Sequence, residues 1–352
     1  MSVLDLARQE LLRLKPYSSA RMEAGQATVM LNANESPFAP FAGAAEGLNR
    51  YPEPQPEAVL RALAFEYGID RQQLFLGRGS DEAIDLLVRA FCQCGQDAIL
   101  ISPPTFGMYA VAAGVQGAAV VSVPLDAQRD FLMDFPAVLA AAENSAVKIV
   151  FVCSPNNPTG GLVPVEEVRR LARALSGRAL VVVDEAYGEF AQADSLAADV
   201  AAIPNLAVLR TLSKAYGLAG ARLGVLIAVP EIIGLLRRIM APYPIPSPCA
   251  AAALAALDPL GVDVHEKRLA LILSERERVV TALAQHPRVR KVWPSSANFI
   301  AFRVDDARQL WCELAERGIL IRDISHNLGL SDCLRVSIGT AEENDQFLRA
   351  LR

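Results

Sequence analysis

The sequence predicts an α/β protein: a large, mostly parallel sheet flanked by helices, followed by a smaller α+β unit. Three observations carry this. Apolar, β-branched runs alternate with helical stretches from about residue 57 to residue 229, the signature of parallel strands joined by crossover helices. After about residue 244 the pattern changes to longer helices and shorter strands. Polar clusters directly follow the apolar runs, and in an open parallel sheet ligands sit beyond the carboxyl ends of the strands.

In chain order, residues 4–14 read as a short amphipathic helix that Lys15-Pro16-Tyr17 breaks. The turn-rich strings Asn32-Ala33-Asn34-Glu35-Ser36-Pro37 and Arg50-Tyr51-Pro52-Glu53-Pro54-Gln55-Pro56 favour an extended path, because proline disfavours helix. This segment is either an arm that wraps a partner or lines a site, or a plain surface loop. Helices are expected at 57–67, 82–92, 135–142 and 166–175. Strands are expected at 74–76, 98–102, 118–123, 147–153, 179–183 and 206–210, with another apolar run at 223–229. The second unit should hold helices at 247–257, 264–285, 307–316 and 342–351, and strands near 292, 299–302, 320–322 and 334–338. The Ala-rich stretch 250–256 is good helix former.

Composition narrows the function. The chain has 352 residues, 52% hydrophobic and 21% charged, as expected of a soluble globular protein with a large core. A net charge of -5 without a basic block gives no case for nucleic acid. No apolar run approaches the ~20 residues of a membrane helix, and residues 1–5 lack the charged and apolar regions of a secretory signal. Six dispersed cysteines form no C-x-x-C pair. They are expected to be small buried hydrophobes in a reducing cytoplasm. Three histidines far apart argue against a histidine metal site or a Ser-His-Asp triad.

Four strand-end stretches carry the chemistry. Gly77-Arg78-Gly79-Ser80-Asp81 joins a strand to a helix. Either its free N–H groups receive a phosphate, or Ser80 or Asp81 is an ordinary helix cap. Cys153-Ser154-Pro155-Asn156-Asn157-Pro158-Thr159-Gly160 is a fixed path, with Asn157–Pro158 the best candidate for a cis bond and the Asn157 amide free to face a ligand. Val183-Asp184-Glu185-Ala186-Tyr187 ends an apolar strand in a carboxylate. Asp184 either caps a helix or meets a positive partner; a pyridinium nitrogen would serve, with Tyr187 on the phenolate oxygen of the same ring. Thr211-Leu212-Ser213-Lys214-Ala215-Tyr216-Gly217-Leu218-Ala219-Gly220-Ala221-Arg222 offers a desolvated lysine able to form a Schiff base with pyridoxal 5'-phosphate, while Ser213 and Arg222 can hold the phosphate.

Asp184-Glu185-Ala186-Tyr187, Ser154-Pro155-Asn156-Asn157-Pro158-Thr159-Gly160 and Thr211-Leu212-Ser213-Lys214-Ala215 resemble fold-type I, class II pyridoxal phosphate aminotransferases. Leu31-Asn32-Ala33-Asn34-Glu35, Asn49-Arg50-Tyr51-Pro52, Pro103-Pro104-Thr105-Phe106-Gly107-Met108-Tyr109, Ala241-Pro242-Tyr243-Pro244 and Leu334-Arg335-Val336-Ser337-Ile338-Gly339-Thr340 extend the likeness over the whole chain. They bring it closest to the branch that acts on histidinol phosphate. The resemblance implies the fold-type I transferase fold, with a mostly parallel seven-stranded sheet in a large domain (31–245), a small C-terminal domain (246–352) and an N-terminal arm (1–30) joining the small domain. It implies that Lys214, Asp184 and Tyr187 are catalytic. It implies that Ser80, Asp81, Phe106, Asn157, Thr211, Ser213 and Arg222 bind the cofactor, Phe106 by stacking where many relatives carry tyrosine. Tyr51 would reach the neighbour's cofactor phosphate, so the sites of a homodimer would be shared. Tyr17, Asn34, Tyr243, Arg322 and Arg335 would bind substrate, the two arginines taking the phosphate of histidinol phosphate and Arg335 the α-carboxylate of glutamate. A relative acting on aromatic amino acids, or a threonine-phosphate decarboxylase, would use the same cofactor residues. A non-catalytic regulator on the same body would need a DNA-binding segment, for which the acidic chain is not expected to have room.

Overall fold

The computed structural model describes residues 2–15, 32–39, 47–143 and 146–351. Its centre is a seven-stranded sheet in the order β1-β7-β6-β5-β4-β2-β3. The strands are β1 (Leu74–Arg78), β2 (Ala98–Ile101), β3 (Ala119–Ser122), β4 (Val147–Cys153), β5 (Leu180–Asp184), β6 (Leu206–Thr211) and β7 (Leu223–Ile227). Neighbours from β3 through β6 are parallel, and β7 runs antiparallel to both β6 and β1. Six carboxyl ends and the amino end of β7 therefore share one edge. That reversal explains why Arg222, just before β7, arrives beside the loop after β1.

The central strands are buried on both faces, so they read as continuous apolar runs rather than alternating ones. One face packs Phe75, Ile99, Ile149, Val182 and Leu209; the other packs Leu74, Leu100, Val150, Val181 and Val208. β3 lies at the sheet's edge and is mostly exposed.

Helices α1 (Gln9–Leu12), α2 (Glu57–Tyr67), α3 (Ser80–Phe91), α4 (Met108–Gln116), α5 (Phe135–Ala142), α6 (Val165–Ala174) and α7 (Pro230–Ile239) belong to this half of the chain. α4 and α7 escape the sequence reading. α4 (MYAVAAGVQ) is small and apolar almost all round, which blurs its helical period. The expected helix over 4–14 is instead a 3₁₀ turn, Val3–Leu6, followed by the single turn α1. A capping box between Ser2 and Asp5 starts the first turn, and the Arg8 N–H leaves the helical path to donate to the Ala90 carbonyl.

α8 (Ser247–Leu257) packs on α2, and α9 (Pro259–Ala284) follows after a single residue. α9 starts five residues earlier than the expected 264, because Pro259 sits at its first turn and Asp258 caps Gly261. A four-stranded antiparallel sheet, order β10-β11-β9-β8, completes the fold. It is built from β8 (Val289–Val292), β9 (Phe299–Val304), β10 (Arg322–Asp323) and β11 (Cys333–Ser337), with α10 (Ala307–Glu316) and α11 (Ala341–Ala350) against it. β10 occupies only the end of the strand expected at 320–322. No single helix among the described residues is long and apolar enough to cross a membrane.

Candidate active site

The register of the large sheet brings four loops to one level. Cys153 pairs with Asp184, Asp184 with Leu209, Thr211 with Gly224, and Gly77 with the same Gly224. Each polar loop therefore starts where its neighbour starts.

The loop after β1 ends in Gly79, which caps α3 at φ 80° with no side-chain cap hydrogen bond. Helix 82–92 of the sequence reading thus begins at Ser80, and neither Ser80 nor Asp81 is its cap. The first N–H groups of this twelve-residue helix form the positive end of its dipole. A Cβ at Gly79 would lie 2.7 Å from an Arg222 nitrogen, so glycine is what lets the guanidinium close over the helix start. Arg222 donates to Asp81 at 3.0 Å. Ser213 Oγ is buried beside them without a hydrogen-bond partner. Helix N–H groups, a hydroxyl and an arginine make a donor set suited to a phosphate.

Asp184 is 2% exposed. Its carboxylate accepts from the Tyr109 hydroxyl at 2.7 Å and from the Ala186 N–H at 3.1 Å. Burial nevertheless pushes its pKa up to about 6, against both donors. Tyr109 stacks on Phe151 at 4.5 Å and meets Phe106 edge-on at 5.6 Å, which fixes Phe106 at the cavity wall. Burial raises the Tyr109 phenol well above its usual value, so it remains a donor.

Three cis X-Pro bonds surround Asn157, at Pro103-Pro104, Ser154-Pro155 and its own bond to Pro158. The neighbouring Asn156 is tied to Pro104, Thr105 and Thr159. The Asn157 amide donates to the Tyr187 hydroxyl at 3.3 Å, and its oxygen accepts from Arg335. The Arg335 guanidinium lies 5.0 Å from the Phe299 ring centre, with its Nε buried and unpartnered.

Lys214 stands in the turn after β6. The Thr211 hydroxyl accepts the Ser213 N–H and donates to the Leu223 carbonyl, both at 3.1 Å, so Thr211 fixes the turn. The Lys214 ammonium is 5.6 Å from the Tyr187 ring centre. Loss of hydration, then the nearby Arg335, lowers its pKa. Lys214 remains open to solvent through the cavity mouth, so desolvation is partial.

One cavity of about 270 Å³ is lined by Ser80, Asp81, Phe106, Asn157, Asp184, Tyr187, Thr211, Ser213, Lys214, Arg222 and Arg335. Four other candidates do not line it. Tyr51 is 48% exposed and stacks on Tyr243 at 4.4 Å. Exposed Asn34, at φ 55°, precedes Glu35, which accepts from Arg50 and from the Tyr51 N–H. Arg322 is exposed but pairs in register with Arg335 across β10 and β11, so the two arginines share a sheet face. Tyr17 lies outside the described residues. Tyr109 is the residue the sequence reading missed; its signal was a second aromatic one helical turn after Phe106.

The model of the family "Aminotransferase class I and II" matches residues 18–351. The chain belongs to the class I and II aminotransferases. A histidinol-phosphate aminotransferase of Stenotrophomonas maltophilia (strain R551-3) is 51% identical to this aminotransferase over 350 residues, 99% of this chain and 96% of the relative. Among solved structures, the aminotransferase is similar to histidinol-phosphate aminotransferase from Sinorhizobium meliloti in complex with pyridoxal-5'-phosphate. The TM-score is 0.79 at 28% identity, covering 98% of this chain and 96% of that one. L-threonine-O-3-phosphate decarboxylase from Porphyromonas gingivalis matches with a TM-score of 0.71 at 26% identity, over 87% of this chain and 91% of that one.

Proposed function

We propose that this aminotransferase uses pyridoxal 5'-phosphate to exchange the amino group between L-histidinol phosphate and 2-oxoglutarate, giving imidazole acetol phosphate and L-glutamate in histidine biosynthesis. The observation that carries the chemistry is Asp184. It is a buried carboxylate with a raised pKa that forms no ion pair among the described residues and faces the same cavity as Lys214. A cationic ring nitrogen is the partner such a group calls for. The choice of substrate rests on the relative that is half identical over nearly the full length.

When bound, pyridoxal phosphate supplies the electron sink for charge developing beside the amine. The start of α3, Ser213 and Arg222 hold its phosphate. Asp184 keeps a proton on the ring nitrogen, and Phe106 backs the ring. Asn157 and Tyr187 bind the phenolate oxygen. Lys214 Nζ, its pKa lowered chiefly by loss of hydration, would take the proton from the substrate carbon and deliver it to the cofactor's C4′, as base and then acid. Arg335 holds the substrate carboxylate, and with Arg322 the phosphate of histidinol phosphate. Two substrates sharing one site give ping-pong kinetics.

We also read the enzyme as a cytoplasmic homodimer with shared sites, acting on small molecules without nucleic acid or membrane. The exposed Tyr51–Tyr243 stack and the exposed Leu260 and Leu271 of α9 support a partner. Six free cysteines suit a reducing compartment. Division between residues 31–245 and 246–352 is supported by the separation of the two sheets in sequence, whereas the described residues of the expected 1–30 arm pack on the large unit, Val3, Leu6 and Ala7 sharing a core with Ile232 and Leu235 of α7.

The test is turnover of histidinol phosphate with 2-oxoglutarate, beside phenylalanine and threonine phosphate. Histidinol phosphate should lead in kcat/KM by at least about tenfold. Dominant turnover of either competitor would overturn the substrate. Lys214→Ala should abolish the visible absorption of lysine-bound cofactor and lower kcat at least about a hundredfold.

A further inference from the structure

The lysine turn is held from two sides, and the proposed chemistry uses only one. On the sheet side it carries its own bonds: Gly217 N–H to the Lys214 carbonyl at 3.1 Å and Leu218 N–H to the Leu212 carbonyl at 3.0 Å. On the other side stands His265, in the second turn of α9. Its Nδ1 is 3.2 Å from the Ala215 carbonyl oxygen, and its ring lies flat on Tyr216, 4.1 Å between centres and 7° between planes. Tyr216 is itself anchored, donating through its hydroxyl to Glu66 on α2 at 2.7 Å. Ala215 and Tyr216 are the two residues directly after Lys214.

The chemistry of the contact fixes the histidine's role. A carbonyl oxygen only accepts, so Nδ1 carries the proton and donates. The ring stack sets the plane from which it does so. Beneath the pair lies a buried cluster in which Arg210 binds Glu185 at 2.8 Å and Glu189 at 2.9 Å. Burial raises the Glu189 carboxyl, with Arg210 the foremost group acting to lower it. His265 therefore joins the lysine turn to α9, the helix that leads to the small sheet.

We propose that His265 is a positioning residue for Lys214: its Nδ1–H bond to the Ala215 carbonyl and its stack on Tyr216 hold the amine's turn at the seat of α9. The inference rests on the aminotransferase reading for its kinetic consequence, but its structural content is independent of the substrate. Two variants separate its parts. His265→Phe keeps the stack and loses the donor. His265→Asn loses the stack and keeps an amide nitrogen near the place of Nδ1.

The first measurement is hydrogen exchange in the cofactor-free protein. Amides of residues 212–218 should exchange roughly tenfold faster in His265→Phe, and His265→Asn should recover most of that protection. The second is turnover by the cofactor-loaded enzyme. His265→Phe should lower kcat roughly tenfold with the KM for the amino donor within about twofold, and His265→Asn should return kcat to within about threefold of wild type. Unchanged exchange in His265→Phe overturns the proposal, as does an Asn variant no better than Phe, or a loss of kcat matched by a general loss of folded protein. Failure of the aminotransferase reading would show instead in the wild type, as absent visible absorption and absent turnover.

Discussion

Asp184 illustrates how a single residue is set by its surroundings. Its ordinary pKa is 3.8, and burial raises it to about 6. Between those values the folded chain binds more protons than the unfolded one, so this group makes stability fall as pH rises through that window. The change is worth about 3 kcal/mol at neutral pH. In cofactor-free protein, urea unfolding between pH 4.5 and 7 should show that decline in wild type and lose it in Asp184→Asn, whose amide oxygen can still accept from Tyr109. The same variant should fail to retain the cofactor. Tyr109→Phe removes the 2.7 Å donor, and cofactor affinity, followed by fluorescence titration, should drop about tenfold, the worth of one hydrogen bond to a charged group. Asp184 and Lys214 were legible in the sequence because a charge at the end of an apolar run is an anomaly that needs an explanation. Tyr109 was not, because its value depends on a helix whose composition conceals its period, and on a contact with a strand 75 residues away.

At the scale of elements, the phosphate-binding geometry depends on what lies behind it. A Cβ at Gly224 of β7 would lie 2.1 Å from the backbone of both Gly79 and Ser80, so β7 must be bare there for α3 to start in its place. Gly224→Ala should destabilise the protein by about 1–3 kcal/mol and weaken cofactor binding in the same titration. Gly234, inside α7, has open space where a Cβ would point. Gly234→Ala should stabilise by about 0.5–1 kcal/mol through helix propensity, and urea unfolding distinguishes the two. Sequence pattern located β1, β4, β5 and β6 well, since buried strands announce themselves by β-branched runs. It could not show that β7 is reversed, because direction is not encoded in a strand's own residues. The N-terminal turn departed from its expected helix for a related reason: the bond from Arg8 to Ala90 is tertiary.

For the whole molecule, the decisive question is whether one chain completes its own site. Tyr51 stacks on Tyr243 outside the cavity that holds Lys214. If the sites are shared, Lys214→Ala and Tyr51→Ala chains, each impaired alone, should complement when refolded together. Random pairing in a two-fold dimer then restores about a quarter of the wild-type sites; no recovery would place Tyr51 in its own chain's site. The two sheets were legible from the change in pattern after residue 244. The seating of α9 against the lysine turn was not, because His265 lies 50 residues from Ala215 on a largely exposed helix. The alignment of Cys153, Asp184 and Leu209 across β4, β5 and β6 bears on which lengths this chain can change. Adding one residue within a five-residue strand such as β5 turns every side chain beyond it to the opposite face, and Val183 would replace the carboxylate. An insertion scan of the gene should therefore read as a comb, tolerant between the teeth and silent wherever a tooth is a central strand.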